Sequence, residues 1–123
     1  MAKILIIDDD AQIRSLVTKI MEIAGHEVVC AEDGVDGMKF FKGDSFDLVI
    51  TDIIMPHKEG LETIVELKEY NPDIPIVAMS GGGRVEPDDY LKLAKIRGAS
   101  VILKKPVEGS MLVTIVEELL AKE

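Results

Sequence analysis

Ile4-Leu5-Ile6-Ile7-Asp8-Asp9-Asp10 is the stretch on which the fold of this chain turns. A continuous apolar run dominated by β-branched isoleucine suits a strand buried on both faces. It ends abruptly on three carboxylates. Residues 11–24 then follow helical spacing, with Ile13, Leu16, Val17, Ile20 and Ala24 at i, i+3, i+4, i+7 and i+11. Gly25 is a good helix stop. Strand, acid, helix is therefore the opening unit.

The same alternation continues outward. Val28-Val29-Cys30-Ala31 reads as a strand and residues 34–42 as a short helix carrying Val35, Met38 and Phe41. Leu48-Val49-Ile50 is a third strand, followed by a helix over 60–70 with Leu61, Ile64, Val65 and Leu67. Pro72 and Pro75 bracket the turn into Ile76-Val77-Ala78-Met79. A glycine loop, Gly81 to Gly83, precedes a helix expected over 87–97, with Pro87 in its first turn. Val101-Ile102-Leu103 is the fifth strand, and Leu112, Ile115, Val116 and Leu119 mark a last amphipathic helix. Five strands alternating with five helices predict a doubly wound α/β fold, a parallel sheet with helices on both faces. Right-handed crossovers place every strand's C-terminal end on one edge. Sites in such sheets lie in the crevice beyond those ends.

With 123 residues, the chain is read as a single domain spanning 1–123. Hydrophobic residues at 47% and charged residues at 30% exclude a disordered chain. The net charge of −9 argues against direct nucleic-acid binding, which rests on Lys and Arg contacts to phosphate. A single cysteine, Cys30, excludes an intrachain disulfide and fits a reducing compartment. No apolar run approaches the ~20 residues of a membrane span, and Ile4 to Ile7 is too short for a signal peptide. A cytoplasmic location without membrane attachment is expected.

The strand ends carry the chemistry. Asp8, Asp9 and Asp10 follow the first strand, Thr51 and Asp52 the third, Ser80 and the glycines the fourth, and Lys104, Lys105 and Pro106 the fifth. Carboxylates gathered at one spot raise each other's pKa unless a cation intervenes. An oxygen-rich site with few protein ligands suits Mg²⁺. A lysine, a hydroxyl and glycine amides add donors for a doubly charged anion such as a phosphoryl group. An Asp already in the cluster can attack phosphorus and form an acyl phosphate.

Asp8-Asp9 after an apolar strand, Asp52 followed by Met55-Pro56 and Gly60, Ser80 beside Gly81, and Lys105-Pro106 together resemble the receiver domain of two-component response regulators of the chemotaxis-regulator kind. The resemblance runs in order through the whole chain. It implies a flavodoxin-like (βα)5 fold with strand order 2-1-3-4-5. It implies that Asp52 is the phosphoacceptor of a phosphorelay. Mg²⁺ would be held by Asp9 directly, by Asp8 largely through water, by Asp52, and by the backbone carbonyl of Ile54. Ser80 and the Gly81 amide would bond phosphoryl oxygens, and Lys105 would pair with them. The Lys105–Pro106 bond is expected to be cis. A histidine kinase or histidine phosphotransfer protein would be the donor, and a downstream output protein or domain would read the switched surface. The chain would assist its own phosphorylation and slow autodephosphorylation without turning over a separate substrate. Homodimerisation through the last helices stays open.

Three features depart from the family pattern. Ser80 stands for the commoner Thr, the segment from Ser80 to Lys105 is long, and Ile102 takes the place of an aromatic switch residue. Ile54 and Gly82 occupy positions where polar groups often orient the hydrolytic water, so a long-lived phosphorylated state is expected. The stiff Ile102 shifts the expected switch to the glycine loop, with residues 81–88 gaining order on phosphorylation. Asp10 is read as a helix N-cap, Lys104 as solvated by strand alternation, and His57 and Lys58 as loop residues. His26 is read as a surface residue at a helix end, the methionines as core filler, and Cys30 as a buried small hydrophobe. A flavin carrier of the same architecture would need aromatic planes, and the chain has no Trp and only Tyr70 and Tyr90. A phosphatase with an Asp nucleophile would need an acid where Ile54 stands. An inactive docking receiver would not need the full acid set.

Overall fold

The structure is a computed structural model, and it describes residues 2–53, 60–80 and 98–122. Five strands, β1 (Lys3–Ile7), β2 (Glu27–Ala31), β3 (Leu48–Asp52), β4 (Ile76–Ser80) and β5 (Val101–Lys104), form one parallel sheet in the order β2-β1-β3-β4-β5. The described helices are α1 (Ala11–Ile23), α2 (Gly34–Gly43), α3 (Gly60–Tyr70) and α4 (Gly109–Ala121). This is the flavodoxin-like arrangement expected, strand order included. The helix expected over 87–97 and the loop over 81–88 lie outside the described residues, as do Ile54, His57 and Lys58.

Alternation along the strands builds two cores. Leu5, Ile7, Val49, Ile76 and Ala78 bury one face against Met38 and Phe41 of α2 and Ile64 and Leu67 of α3. Ile4, Ile6, Leu48, Ile50, Val77 and Met79 bury the other against Val17 and Met21 of α1 and Leu112, Val116 and Leu119 of α4. Every residue of β3 and β4 is buried, as a central parallel strand requires. The register pairs Ile7 with Thr51, which sets Asp8 and Asp52 side by side just beyond it. Parity thus places both acids before any side-chain interaction is considered.

The helix ends follow local chemistry. Asp10 caps α1, its Oδ1 accepting from the backbone N–H groups of Gln12 (2.8 Å) and Ile13 (3.4 Å). Asp33 caps α2 by accepting from Asp36 N. Gly25, at φ +95°, turns the chain out of α1 through a conformation that L side chains rarely adopt.

His26 departs from the expectation. It is buried, and its Nδ1 accepts from Ala2 N at 3.1 Å, so Nε2 carries the proton and donates to Glu117 Oε1, also at 3.1 Å. The imidazole ties the end of α1 to the start of β1 and to α4. A lone polar residue after a helix stop carries no periodicity that could have shown this. Cys30 is only partly buried, with Sγ 3.1 Å from Thr18 Oγ1. Met21, Met38 and Met79 fill the cores as expected, while Met111 is exposed.

Candidate functional site

The site is built from the C-terminal ends of β1, β3 and β5. Asp8 follows β1 directly, and its Oδ1 accepts from Asp10 N at 2.9 Å. That bond folds the turn so that Asp8 Oδ2 faces inward. Asp52 ends β3, and its Oδ1 accepts from Ile53 N at 3.0 Å. Lys105 follows β5 after Lys104, which points to solvent as alternation requires. Lys105 Nζ lies 3.0 Å from Asp8 Oδ2 and 3.5 Å from Asp52 Oδ1. Three segments far apart in sequence thus meet through one ammonium.

Burial sharpens the electrostatics. Asp8 is fully buried, Asp52 is 6% exposed, and only Asp9 is open to solvent. One carboxylate oxygen each from Asp8, Asp9 and Asp52 lie within 4.8 Å of one another. Burial pushes the Asp52 carboxyl up to about 7; Lys105 pulls the other way, and Asp8 and Asp9 push it further up. Burial works against the Lys105 ammonium, but Asp8 and Asp52 outweigh it and hold its pKa above the ordinary lysine value. One cation thus faces more negative charge than it can neutralise.

The donor set fits a hard divalent cation. Asp8 Oδ2 is buried and accepts no hydrogen bond of normal geometry, so its one neutralising neighbour among the described residues is the Lys105 ammonium. Three converging carboxylates, one of them solvent-facing, leave coordination positions for water, which Mg²⁺ retains readily. Among the described residues this is the one acidic group that converges in this way.

The remaining expected site residues fall into two groups. Ser80 is buried at the end of β4, one residue beyond Met79, the sheet partner of Asp52. Its carbonyl accepts from Lys105 N at 2.7 Å, which links β4 to the lysine, and the Lys105–Pro106 bond is cis as expected. Ile54 and Gly81 lie outside the described residues. Sequence reasoning placed Thr51 at the end of the third strand without a role; it is buried, with its hydroxyl donating to Asp52 O at 3.1 Å. Sequence reasoning passed over Arg14, whose Nη1 donates to Asp8 O at 2.7 Å. A charged residue three places into a helix is ordinarily a solvated face, so only its position after the acidic turn could have pointed to it.

The family model for the response regulator receiver domain matches residues 4–117. The chain is 35% identical over 119 residues to the DNA-binding transcriptional regulator NtrC of Azospirillum brasilense, covering 97% of this chain and 24% of that protein. It is 33% identical over 122 residues to the transcriptional regulatory protein CpxR of Escherichia coli (strain K12), covering 99% of this chain and 50% of that one. The chain therefore spans half or less of these curated relatives. Among solved structures, a response regulator receiver domain protein from Clostridium thermocellum superposes with a TM-score of 0.91 at 32% identity, covering 99% of this chain and 96% of that one.

Proposed function

This chain belongs to the response regulator receiver family of two-component signalling, and on that premise we propose that Asp52 accepts a phosphoryl group from a phosphohistidine in a Mg²⁺-dependent switch. The convergence of Asp8, Asp9 and Asp52 around the Lys105 ammonium supports this reading most strongly. A carboxylate oxygen of Asp52 attacks phosphorus. The P–O bond forms as the P–N bond to the donor imidazole breaks, and the electron pair stays on the imidazole nitrogen. The product is an acyl phosphate. Asp8, Asp9, Asp52 and the Ile54 carbonyl would hold Mg²⁺, which neutralises the phosphoryl oxygens and the carboxylates when bound.

The chain's own groups do the rest. Lys105 is already 3.5 Å from Asp52 Oδ1, so a phosphoryl group added there falls within its reach. The Ser80 hydroxyl and the Gly81 amide would donate to phosphoryl oxygens. The near-total burial of Asp52 limits access to groups that can present phosphorus from the side on which Asp9 is exposed. We place the donor on a histidine kinase or histidine phosphotransfer protein in the cytoplasm, and the readout on an output protein or domain. No described helix is long and apolar enough to cross a membrane. The protein assists its own modification and turns over no separate substrate.

The test is intact mass after incubation with acetyl phosphate. One phosphoryl addition with Mg²⁺, none in EDTA, and no multiple turnover of phosphoesters is the expected result. Addition that ignores the metal, or steady phosphoester hydrolysis, contradicts the reading.

A further inference from the structure

Arg14 is the fourth residue of α1, within its first turn. A cation there opposes the helix dipole, whose N-terminal end is positive. Its side chain is nonetheless drawn in, only 19% exposed, and curls back over the helix start. Nη1 donates to the backbone carbonyl of Asp8 at 2.7 Å, a short charge-assisted bond. Nη2 lies 3.9 Å from Oε1 of the exposed Glu32, just after β2.

The bonded carbonyl belongs to the peptide that joins Asp8 to Asp9. Asp8 N is held by Ala31 O at 3.1 Å, and Asp8 Oδ1 by Asp10 N at 2.9 Å. The turn closed by Asp8 Oδ1 and Asp10 N holds the Asp8–Asp9 peptide from within, and the Arg14 bond holds it from outside, at the carbonyl. Asp9 is exposed, and among the described residues no hydrogen bond or ion pair of its carboxylate fixes its direction. The backbone therefore sets the positions from which that carboxylate can reach the site, by fixing where its Cβ stands.

We infer that Arg14 is a positioning residue for the cation site: it clamps the Asp8–Asp9 peptide so that Asp9 converges with Asp8 and Asp52. This rests on the Mg²⁺ reading above. The groups that orient a metal's direct ligands typically matter by ~10–100-fold in affinity.

Charge and positioning act with opposite sign here. Removing a nearby cation raises the attraction of the site for Mg²⁺, whereas releasing the peptide lowers it. The experiment is a titration with Mg²⁺ alone, followed by amide chemical shifts, with thermal unfolding in EDTA alongside. Arg14→Ala is expected to weaken binding by ~10-fold or more at little change in melting temperature. Arg14→Lys, which restores one donor, should recover part of the loss. Arg14→Met keeps the apolar stem and removes the donors, so it is read the same way if the alanine variant unfolds. In an Asp9→Asn background, Arg14→Ala should add little, because the two act through one carboxylate. Unchanged or tighter Mg²⁺ binding in Arg14→Ala or Arg14→Met, or full additivity with Asp9→Asn, overturns the inference. If Asp9→Asn alone leaves Mg²⁺ binding unchanged, the Mg²⁺ reading itself fails instead.

Discussion

Asp52 stands between one cation and two anions in a buried pocket, and its protonation sets the stability of the metal-free protein. Its carboxyl is raised from 3.8 to about 7, first by burial. A raised carboxyl pKa means the folded state holds the proton more tightly than the unfolded chain. The stability this contributes is complete below about pH 4 and is lost as pH rises through about 7. The full difference corresponds to ~4 kcal/mol at ~1.4 kcal/mol per decade, and partial solvation of a carboxyl that lies beside the exposed Asp9 screens it to about 1–2 kcal/mol. Asp52→Asn should therefore stabilise the protein in EDTA at pH 7.5 by about that amount, with little effect at pH 4. Denaturant titrations at the two pH values check this; an equal effect at both contradicts it. Ile54 belongs to the same scale. By the family resemblance it stands where a polar side chain often orients the hydrolytic water, so the phosphorylated state should be long-lived, and Ile54→Asn should shorten its half-life. Decay followed by mass after removal of the phosphodonor measures this, and a slower mutant would refute it.

At the scale of elements, α2 sits unusually close to the sheet. A Cβ added at Gly37 would overlap Cδ1 of Ile7 and come within 2.9 Å of its Cγ1. Glycine in a helix interior ordinarily costs about 1 kcal/mol relative to alanine. Overpacking a filled core costs about 1–3 kcal/mol, and Ile7 is fully buried. Gly37→Ala should therefore destabilise by up to about 2 kcal/mol instead of stabilising; a rise in melting temperature would contradict the close approach. The strands were legible in the sequence because residues buried on both faces read as unbroken apolar runs, Ile4 to Ile7 above all. The helix faces were less so. Leu16 fits the apolar spacing of α1 yet is half exposed, while Met21, at i+8 from Ile13 and not among the residues singled out there, is buried. Apolar residues cover more than one face of α1, and Ile23 at 87% exposure shows the same ambiguity. Periodicity finds a helix more readily than its rotation.

For the whole molecule, the site was legible through topology. A parallel sheet gathers its strand ends on one edge, so Asp8, Asp52 and Lys105 could be grouped before any distance was known. The supports were not legible: the Arg14 contact depends on the curl of one side chain, and the His26 bridge on the docking of α4. The consequence is a scaffold, two buried cores on one sheet, that presents more carboxylates than Lys105 can neutralise at its edge. The phosphorylation proposed at Asp52 would place a doubly charged group beside Lys105 and so deepen the demand for a cation there. The direct measurement is chemical mapping of the modified residue. After acetyl phosphate and Mg²⁺, borohydride reduces an acyl phosphate to an alcohol, and peptide mass spectrometry locates it. The account predicts homoserine at position 52 alone in the wild-type protein and no reduced residue in Asp52→Asn. Reduction at Asp8 or Asp9 in the wild type, or stoichiometric phosphorylation of Asp52→Asn, would contradict it.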